Sequence, residues 1–169
     1  MSSVKWSTLS LVTVGAILTL GAAPAAAHPD SYAGAESLCG EGYFVVDDPD
    51  GTPARRAVKT DSGEVFGHVY LLYSNVTGKN CVVTIKSRFH GDETYMTAGL
   101  RVRGRSGPCD GWFCDFGNFA HFAGGPPDYK TTVSAAGRCV KYWGQILSRR
   151  NAEGTLAEGG RRRWGNCGG

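Results

Sequence analysis

Several side chains occur in the chain order that a serine-hydrolase triad requires. His68 and His90 precede Asp92, and Ser106 follows them within the stretch Gly104-Arg105-Ser106-Gly107-Pro108. In such a triad an imidazole that is oriented by a carboxylate takes the proton from the serine hydroxyl. However, arginine stands where a serine-protease motif carries aspartate, and the sequence contains no G-x-S-x-G elbow. The arrangement therefore does not predict acyl-transfer chemistry.

Acidic residues and histidines could support two other kinds of chemistry. The clustered carboxylates are Asp47, Asp48 and Asp50 in one turn and Asp92 with Glu93 in another. A glycosidase needs two carboxyl groups about 5 to 10 Å apart in a cleft, whereas neighbouring carboxylates in a proline- and glycine-containing turn are usually solvated. His90 beside Asp92 could bind a metal, but no second histidine stands two or four residues away, and His121 is expected to be an ordinary strand residue. We expect no metal, no cofactor and no enzymatic activity.

A basic segment near the C-terminus is the main candidate for binding. Its five arginines are Arg149, Arg150, Arg161, Arg162 and Arg163. Guanidinium groups suit phosphate and carboxylate oxygens, so we expect salt-sensitive binding to an anionic polymer of the cell wall or spore surface. The alternative is a merely solvated loop, because Glu153 and Glu158 partly neutralise this charge.

The tryptophans and the overall charge also indicate what this protein could bind. Trp112, Trp143 and Trp164 could stack on sugar rings, although burial beside a disulfide is the commoner fate and we expect Trp143 in the core. The net charge of the whole chain is +3. That charge is too small to indicate nucleic acid as the main partner.

Short strands are the elements that must position these residues. Apolar alternation or continuous apolar runs predict strands over 43–46, 65–73, 81–88, 95–102, 115–122, 130–135 and 139–147. In the 81–88 strand we expect one face exposed to water, made of Val82, Thr84, Lys86 and Arg88. We expect loops over 47–62, 104–114 and 148–163. The pattern predicts an all-β fold, a small antiparallel sandwich or barrel of seven to eight short strands.

Two local features qualify this prediction. Phenylalanines recur every three residues at Phe113, Phe116, Phe119 and Phe122, which leaves a helix as an alternative, but Gly117 and Asn118 favour a strand. Arg101, Arg103 and Arg105 share one strand face and are expected to be solvated.

The first 27 residues have the order of a secretory signal peptide. Lys5 supplies a positive charge, an apolar run follows over 9–20, and Pro24-Ala25-Ala26-Ala27 is a small-residue cleavage site. We expect cleavage after Ala27, and no membrane association afterwards. Residues 28–169 are expected to form a single secreted β domain with a flexible N-terminal segment over 28–37.

Six cysteines lie beyond this segment: Cys39, Cys81, Cys109, Cys114, Cys139 and Cys167. An even number in an exported chain predicts disulfides. Spacing alone leaves the connectivity open. We propose three pairs: Cys109 with Cys114, close together in a glycine-rich loop, Cys39 with Cys81, and Cys139 with Cys167, which holds the C-terminal segment.

Motifs spread over 28–169 resemble the spore-associated protein A family, small secreted proteins of sporulating filamentous bacteria. The stretches that carry the resemblance are Cys39-Gly40-x-Gly42-Tyr43-x-Val45-Val46, Val69-Tyr70-Leu71-x-Tyr73-Ser74, Thr77-Gly78-Lys79-Asn80-Cys81-Val82-Val83-Thr84, Asp115-x-Gly117-Asn118-Phe119, Phe122-Ala123-Gly124, Gly137-x-Cys139-Val140 and Asn166-Cys167-Gly168. The sequence departs from the family in extra residues over 47–62, in the Cys109–Cys114 loop and in a longer arginine-rich segment before Trp164.

The resemblance implies a location at the spore or in the medium and no catalytic residues. We therefore expect a secreted, non-enzymatic protein associated with the spore or cell surface. The alternative is a secreted hydrolase or protease inhibitor that acts outside the cell.

Overall fold

The computed structural model describes residues 34–125, 128 and 130–168. The predicted signal peptide and residues 28–33 lie outside this described part. Its elements in chain order are α1 (Gly34–Cys39), β1 (Tyr43–Val45), β2 (Arg55–Lys59), β3 (Val65–Ser74), β4 (Lys79–Lys86), β5 (Thr94–Val102), β6 (Phe113–Phe119), β7 (Phe122–Ala123), β8 (Thr132–Ser134), β9 (Val140–Leu147) and β10 (Leu156–Gly165).

Eight of these strands form a nearly closed antiparallel barrel. Their order is β6-β5-β9-β10-β2-β3-β4-β7, and the two strands at the ends of this path contact each other. Strand β1 pairs with β3, and β8 pairs with β4 beside β7. The all-β prediction is confirmed. It left a sandwich or a barrel open, and the structure is a barrel. The 113–119 segment is a strand and not a helix.

Apolar side chains fill the inside of the barrel. Val69, Leu71, Met96, Leu100 and Ile146 are fully buried there. Gly144 faces the same interior, where a Cβ atom would lie 2.2 Å from Thr84 Oγ1. Glycine is therefore required for β9 and β4 to approach across the barrel.

A second, smaller apolar cluster lies on the outside, between the barrel wall and α1. Ala35 and Leu38 of α1 pack there with Leu72, Val83 and Ile85. Because α1 covers this patch, β4 is buried on both faces.

Four local expectations were wrong. Residues 55–59 form β2 and residues 156–165 form β10, although both segments were expected to be loops. Residues 34–39 form a helix, although the segment over 28–37 was expected to be loosely held. The face of β4 that was expected to be wet is the barrel interior, where Lys86 is buried.

The pairing of β10 explains why its sequence is so weakly apolar. A Cβ atom at Gly159 would lie 2.1 Å from the backbone oxygen of Ala57 in β2, so that close approach requires glycine. On the barrel side, Val58 of β2 and Ala157 of β10 are completely buried. Few large apolar side chains are therefore needed at this corner, and exposed positions such as Glu158, Arg162 and Arg163 are polar.

Strand register defines two ends of the barrel. Ser74, Lys79, Val102, Val140 and Gly165 meet at one end, which we call the disulfide end. The other end, which we call the lysine end, carries Lys59, Val65, Lys86, Thr94 and Leu147.

The cysteines form the three pairs proposed above, Cys39–Cys81, Cys109–Cys114 and Cys139–Cys167. Cys81 lies opposite Leu72 near the end of β3, and Cys114 lies opposite Gly99 of β5. Cys139 immediately precedes β9 at the same end. The three cross-links therefore all hold the loops of the disulfide end.

Candidate functional site

The residues of the hypothetical serine triad lie far apart. His90 and Asp92 are in the turn before β5, at the lysine end, and Ser106 follows β5 at the disulfide end. Nine strand residues separate the two places, which is about 27 Å. His68 lies in β3, with its Nδ1 atom 3.5 Å from Arg55 Nη2. The structure does not assemble a triad from these residues.

The other acidic and histidine candidates have structural partners. Glu93 forms an ion pair with Arg150 at 2.5 Å, and the rings of His90 and His121 lie 4.5 Å apart. Asp50 accepts hydrogen bonds from the side chain and backbone of Thr52, which lower its pKa. The described residues include no cluster of three His, Cys, Asp or Glu that could hold a metal ion.

Asp48 is the centre of a buried polar network at the disulfide end. Its side chain is completely buried, forms an ion pair with Arg56, and accepts a hydrogen bond from the Tyr142 hydroxyl at 2.9 Å. Arg161 Nε lies 3.4 Å from the second carboxylate oxygen. Burial, reinforced by the Asp48 charge, raises the pKa of Tyr142. The network ties the loop after β1 to β2, β9 and β10, so Asp48 is a structural residue.

The five arginines of the basic segment do not share one surface. Arg149 and Arg150 follow β9 at the lysine end, whereas Arg161 lies opposite Tyr142 towards the disulfide end. Leu156 and Arg161 alone are about 17 Å apart along β10. Arg161 is also engaged with Asp48, with Asn166 and with the backbone oxygen of Val140. The expectation that one loop over 148–163 holds these arginines was therefore wrong, because residues 156–165 form β10 and pair with β9.

The structure instead brings the tryptophans together with a different set of cations. Trp112 and Trp143 lie over the outer surface of Gly99, their ring centres 6.2 Å apart. Trp143 is only partly buried on the outer face of β9, so its expected place in the core was wrong. A side chain at position 99 would meet both indoles, since a Cβ atom there would be 3.3 Å from one and 3.5 Å from the other.

Cationic side chains lie over the indole rings of Trp164 and Trp143. Lys141 Nζ lies 4.5 Å and the Arg103 guanidinium 5.2 Å from the ring centre of Trp164. The Arg162 guanidinium lies 5.3 Å from the ring centre of Trp143. These distances are within the range of cation–π attraction.

We call this surface the cation–aromatic face. It comprises Trp112, Trp143, Trp164, Arg101, Arg103, Lys141 and Arg162. Arg101 belongs to it because it is the cross-strand neighbour of Lys141. Arg162 is paired with Glu158 at 2.9 Å. Among the described residues, no carboxylate forms an ion pair with the other three cations, so the face is positively charged.

A cleft of about 800 Å³ opens beside this face and shares Trp164 with it. We call it the aromatic cleft, and its lining residues include Phe44, Asp47, Tyr73, Trp164, Gly137 and Asn166. Phe44 meets Tyr73 edge-on, with ring centres 6.3 Å apart, and remains 42% exposed. An exposed aromatic ring in a cleft of this size is typical of a site for a small molecule or a ligand unit.

A second cavity of about 700 Å³ shares the lining residues Trp164 and Pro49 with the aromatic cleft. Its lining includes Arg56, Arg161, Arg162 and Arg163 together with Asp48 and Asp50. Burial opposes the charge of Arg56, but Asp48, Tyr142 and Asp50 outweigh it and raise the pKa of Arg56. Arg163 is exposed and forms no ion pair within the part of the chain that the structure describes. It is the arginine of the predicted segment that is free to bind an anion here.

Sequence reasoning found part of this site and missed its organisation. It named the three tryptophans and Arg162 separately, and it placed Arg101, Arg103 and Arg105 in solvent. Lys141, Phe44 and Tyr73 were not identified. The alternation of Lys141 with the buried Val140 and Tyr142 marks it as outward-facing, but no local pattern indicates that Trp164 lies beside it.

The fold and this surface define a class of protein: a small, disulfide-bonded antiparallel β-barrel that carries a basic aromatic face. Over 148 residues the chain is 36% identical to Spore-associated protein A of Streptomyces coelicolor (strain ATCC BAA-471 / A3(2) / M145), which covers 85% of this chain and 80% of the relative. The chain belongs to the spore-associated protein A family. No family model matches it, and no solved structure matches it. None of the described helices is long and apolar enough to cross a membrane.

Proposed function

We propose that this protein is a secreted, non-enzymatic protein that attaches to the spore or cell surface by binding an anionic polymer on its cation–aromatic face. The observation that carries the proposal is the arrangement around Trp164, where Arg103 and Lys141 both lie within 5.2 Å of one ring centre. Tryptophan holds these two cations side by side at the surface.

The charge of the face supports a polyanion as partner. Arg101 of β5 and Lys141 of β9 lie on adjacent strands, and Arg103 directly follows β5. None of the three has a carboxylate partner among the described residues. Repeated anionic groups could bind several of these cations at once, so contacts that are individually weak would together give firm attachment. Such binding depends on salt, because exposed charges are screened over about 8 Å at physiological ionic strength.

The place of attachment is inferred from the relative. Its printed name associates the Streptomyces coelicolor protein with spores, and the predicted signal peptide over 1–27 provides a route out of the cell. Spore and cell surfaces rich in phosphate or carboxylate polymers would provide the complementary charge.

Co-sedimentation of the secreted protein with purified cell walls and with spores tests the proposal. We expect the wild type to bind at low salt and to be released at high salt. The double variant Arg103→Gln/Lys141→Gln removes both cations from Trp164 and should bind about tenfold more weakly, which corresponds to about 1.4 kcal/mol.

The matched control is Arg149→Gln/Arg150→Gln, which removes the same number of charges at the lysine end of the barrel. We expect this control to bind like the wild type. If the two double variants lose binding equally, net charge alone explains attachment, and the role of the cation–aromatic face is refuted. Circular dichroism of each variant checks that the barrel is intact.

A further inference from the structure

We propose that the polymer is an acidic glycan, and that one of its uncharged sugar units binds in the aromatic cleft while its acidic groups bind the neighbouring cations. This inference rests on the proposed function. It assigns a role to Phe44 and Tyr73, which that function does not use.

The shape of the cleft fits a sugar ring. Its volume of about 800 Å³ is within the range of pockets that hold small ligands. Phe44 lines the cleft, its ring meets Tyr73 edge-on, and the residue is 42% exposed. A pyranose ring has an apolar C–H surface that an aromatic ring can cover, and hydroxyl groups at its edge for polar partners.

The charges of the lining and of the neighbouring surface favour a neutral sugar unit inside the cleft and acidic groups outside it. Asp47 is part of the cleft lining, so an anionic group inside would be repelled, whereas a sugar hydroxyl could donate a hydrogen bond to the carboxylate. Arg103 and Lys141 are not part of the cleft lining, but they lie within 5.2 Å of the ring centre of Trp164, which is. A polymer that carries both neutral and acidic sugar units fits this division.

The walls of the cleft are held in place before any ligand binds. Asn166 Nδ2 donates a hydrogen bond to the backbone oxygen of Asp47 at 2.6 Å, which joins two sides of the cleft. Arg161 donates to the Asn166 side chain, and the Cys139–Cys167 disulfide links the C-terminal residues to the start of β9. A preformed site loses little conformational freedom on binding.

Two soluble probes separate the glycan from a simple polyanion. The first is a hyaluronan hexasaccharide, in which N-acetylglucosamine alternates with glucuronic acid, and the second is inorganic polyphosphate, which has no sugar. Calorimetry gives the affinity, and tryptophan fluorescence reports contact near Trp164. We expect the wild type to bind both probes, with the larger fluorescence change for the hexasaccharide.

Phe44→Ala removes the exposed ring and should weaken binding of the hexasaccharide about tenfold while leaving polyphosphate binding unchanged. Phe44→Tyr keeps a ring and should bind the hexasaccharide like the wild type. Phe116→Ala is the matched control, because Phe116 is also an exposed strand phenylalanine, 58% exposed, and it is not part of the cleft lining.

The outcomes distinguish this inference from the proposed function. If Phe44→Ala binds both probes like the wild type, the sugar site is refuted and polyanion binding stands. If the wild type binds neither the probes nor cell walls, the proposed function fails. If Phe44→Ala instead abolishes self-association in sedimentation and leaves hexasaccharide binding unchanged, a second copy of the chain occupies the cleft and the inference is wrong.

Discussion

Replacing Asp48 by asparagine should strongly destabilise the protein, although the two side chains have nearly the same shape. The Asp48 side chain is completely buried and is paired with Arg56 and Arg161. Asparagine removes the negative charge, so Arg161 loses its carboxylate partner and Arg56 keeps only the exposed Asp50, at 3.1 Å.

The expected loss of unfolding free energy depends on how deeply the arginine partners of Asp48 are buried. Breaking a buried ion pair by removing one member costs about 3 to 5 kcal/mol. The Arg161 side chain is only 13% exposed, but that of Arg56 is 30% exposed and can recover hydration. Asparagine can still accept the Tyr142 hydrogen bond. We therefore expect a loss at the lower end, about 3 kcal/mol of unfolding free energy.

Urea denaturation at pH 7 with intact disulfides, followed by tryptophan fluorescence, measures this loss. The control is Glu93→Gln, which breaks the exposed ion pair with Arg150 and should cost less than about 1 kcal/mol. Tyr142→Phe should cost about 1 to 2 kcal/mol, and its effect should not add to that of Asp48→Asn, because the two residues share a hydrogen bond.

Equal losses for Asp48→Asn and Glu93→Gln would refute this reasoning. That result would mean that the network is as hydrated as a surface pair and does not hold the loop after β1 on the barrel.

Three further predictions concern other parts of the chain. Burial lowers the pKa of Lys86 from 10.5 to about 8, so the folded protein releases this proton at lower pH than the unfolded chain. The stability of the wild type relative to Lys86→Met should therefore rise between about pH 8 and 10.5 in urea denaturation, and a difference that stays constant with pH would contradict the pKa shift. Opening the 28-residue Cys139–Cys167 loop by Cys139→Ser/Cys167→Ser should cost about 3 to 4 kcal/mol, measured in the same assay, and a loss below about 1 kcal/mol would contradict it. N-terminal sequencing of the exported protein should begin at His28, and any mature form that retains the apolar run over 9–20 would exclude the signal-peptide interpretation.

The sequence was a reliable guide where local patterning is strong. Strands β3, β5 and β9 alternate or run apolar over at least eight residues, and their predicted bounds lie within one residue of those in the structure. The cysteine pairs could also be proposed, because Cys109 and Cys114 lie close together in a glycine-rich loop. The pair Cys39–Cys81 joins the entry segment to a strong strand, and Cys139–Cys167 holds the C-terminal segment.

Apolar patterning did not predict the strands that contribute few apolar side chains. The segments of β2 and β10 read as loops because they are rich in arginine, lysine and glycine. They form strands because each satisfies the backbone hydrogen bonds of its neighbours, and their pairing joins β3 to β9 in the barrel. The pairing of β2 with β10 joins segments that are far apart in sequence, so no local window contains this stabilisation.

The same division applies to the site. The tryptophans, the outward-facing arginines and the cysteine cross-links could be recognised from residue type and alternation, which are local properties. The contact between Arg103 of the segment after β5, Lys141 of β9 and Trp164 of β10 became evident in the folded barrel. Strand register determines this contact between the three side chains. Register in a barrel depends in turn on how all the strands close around one shared interior.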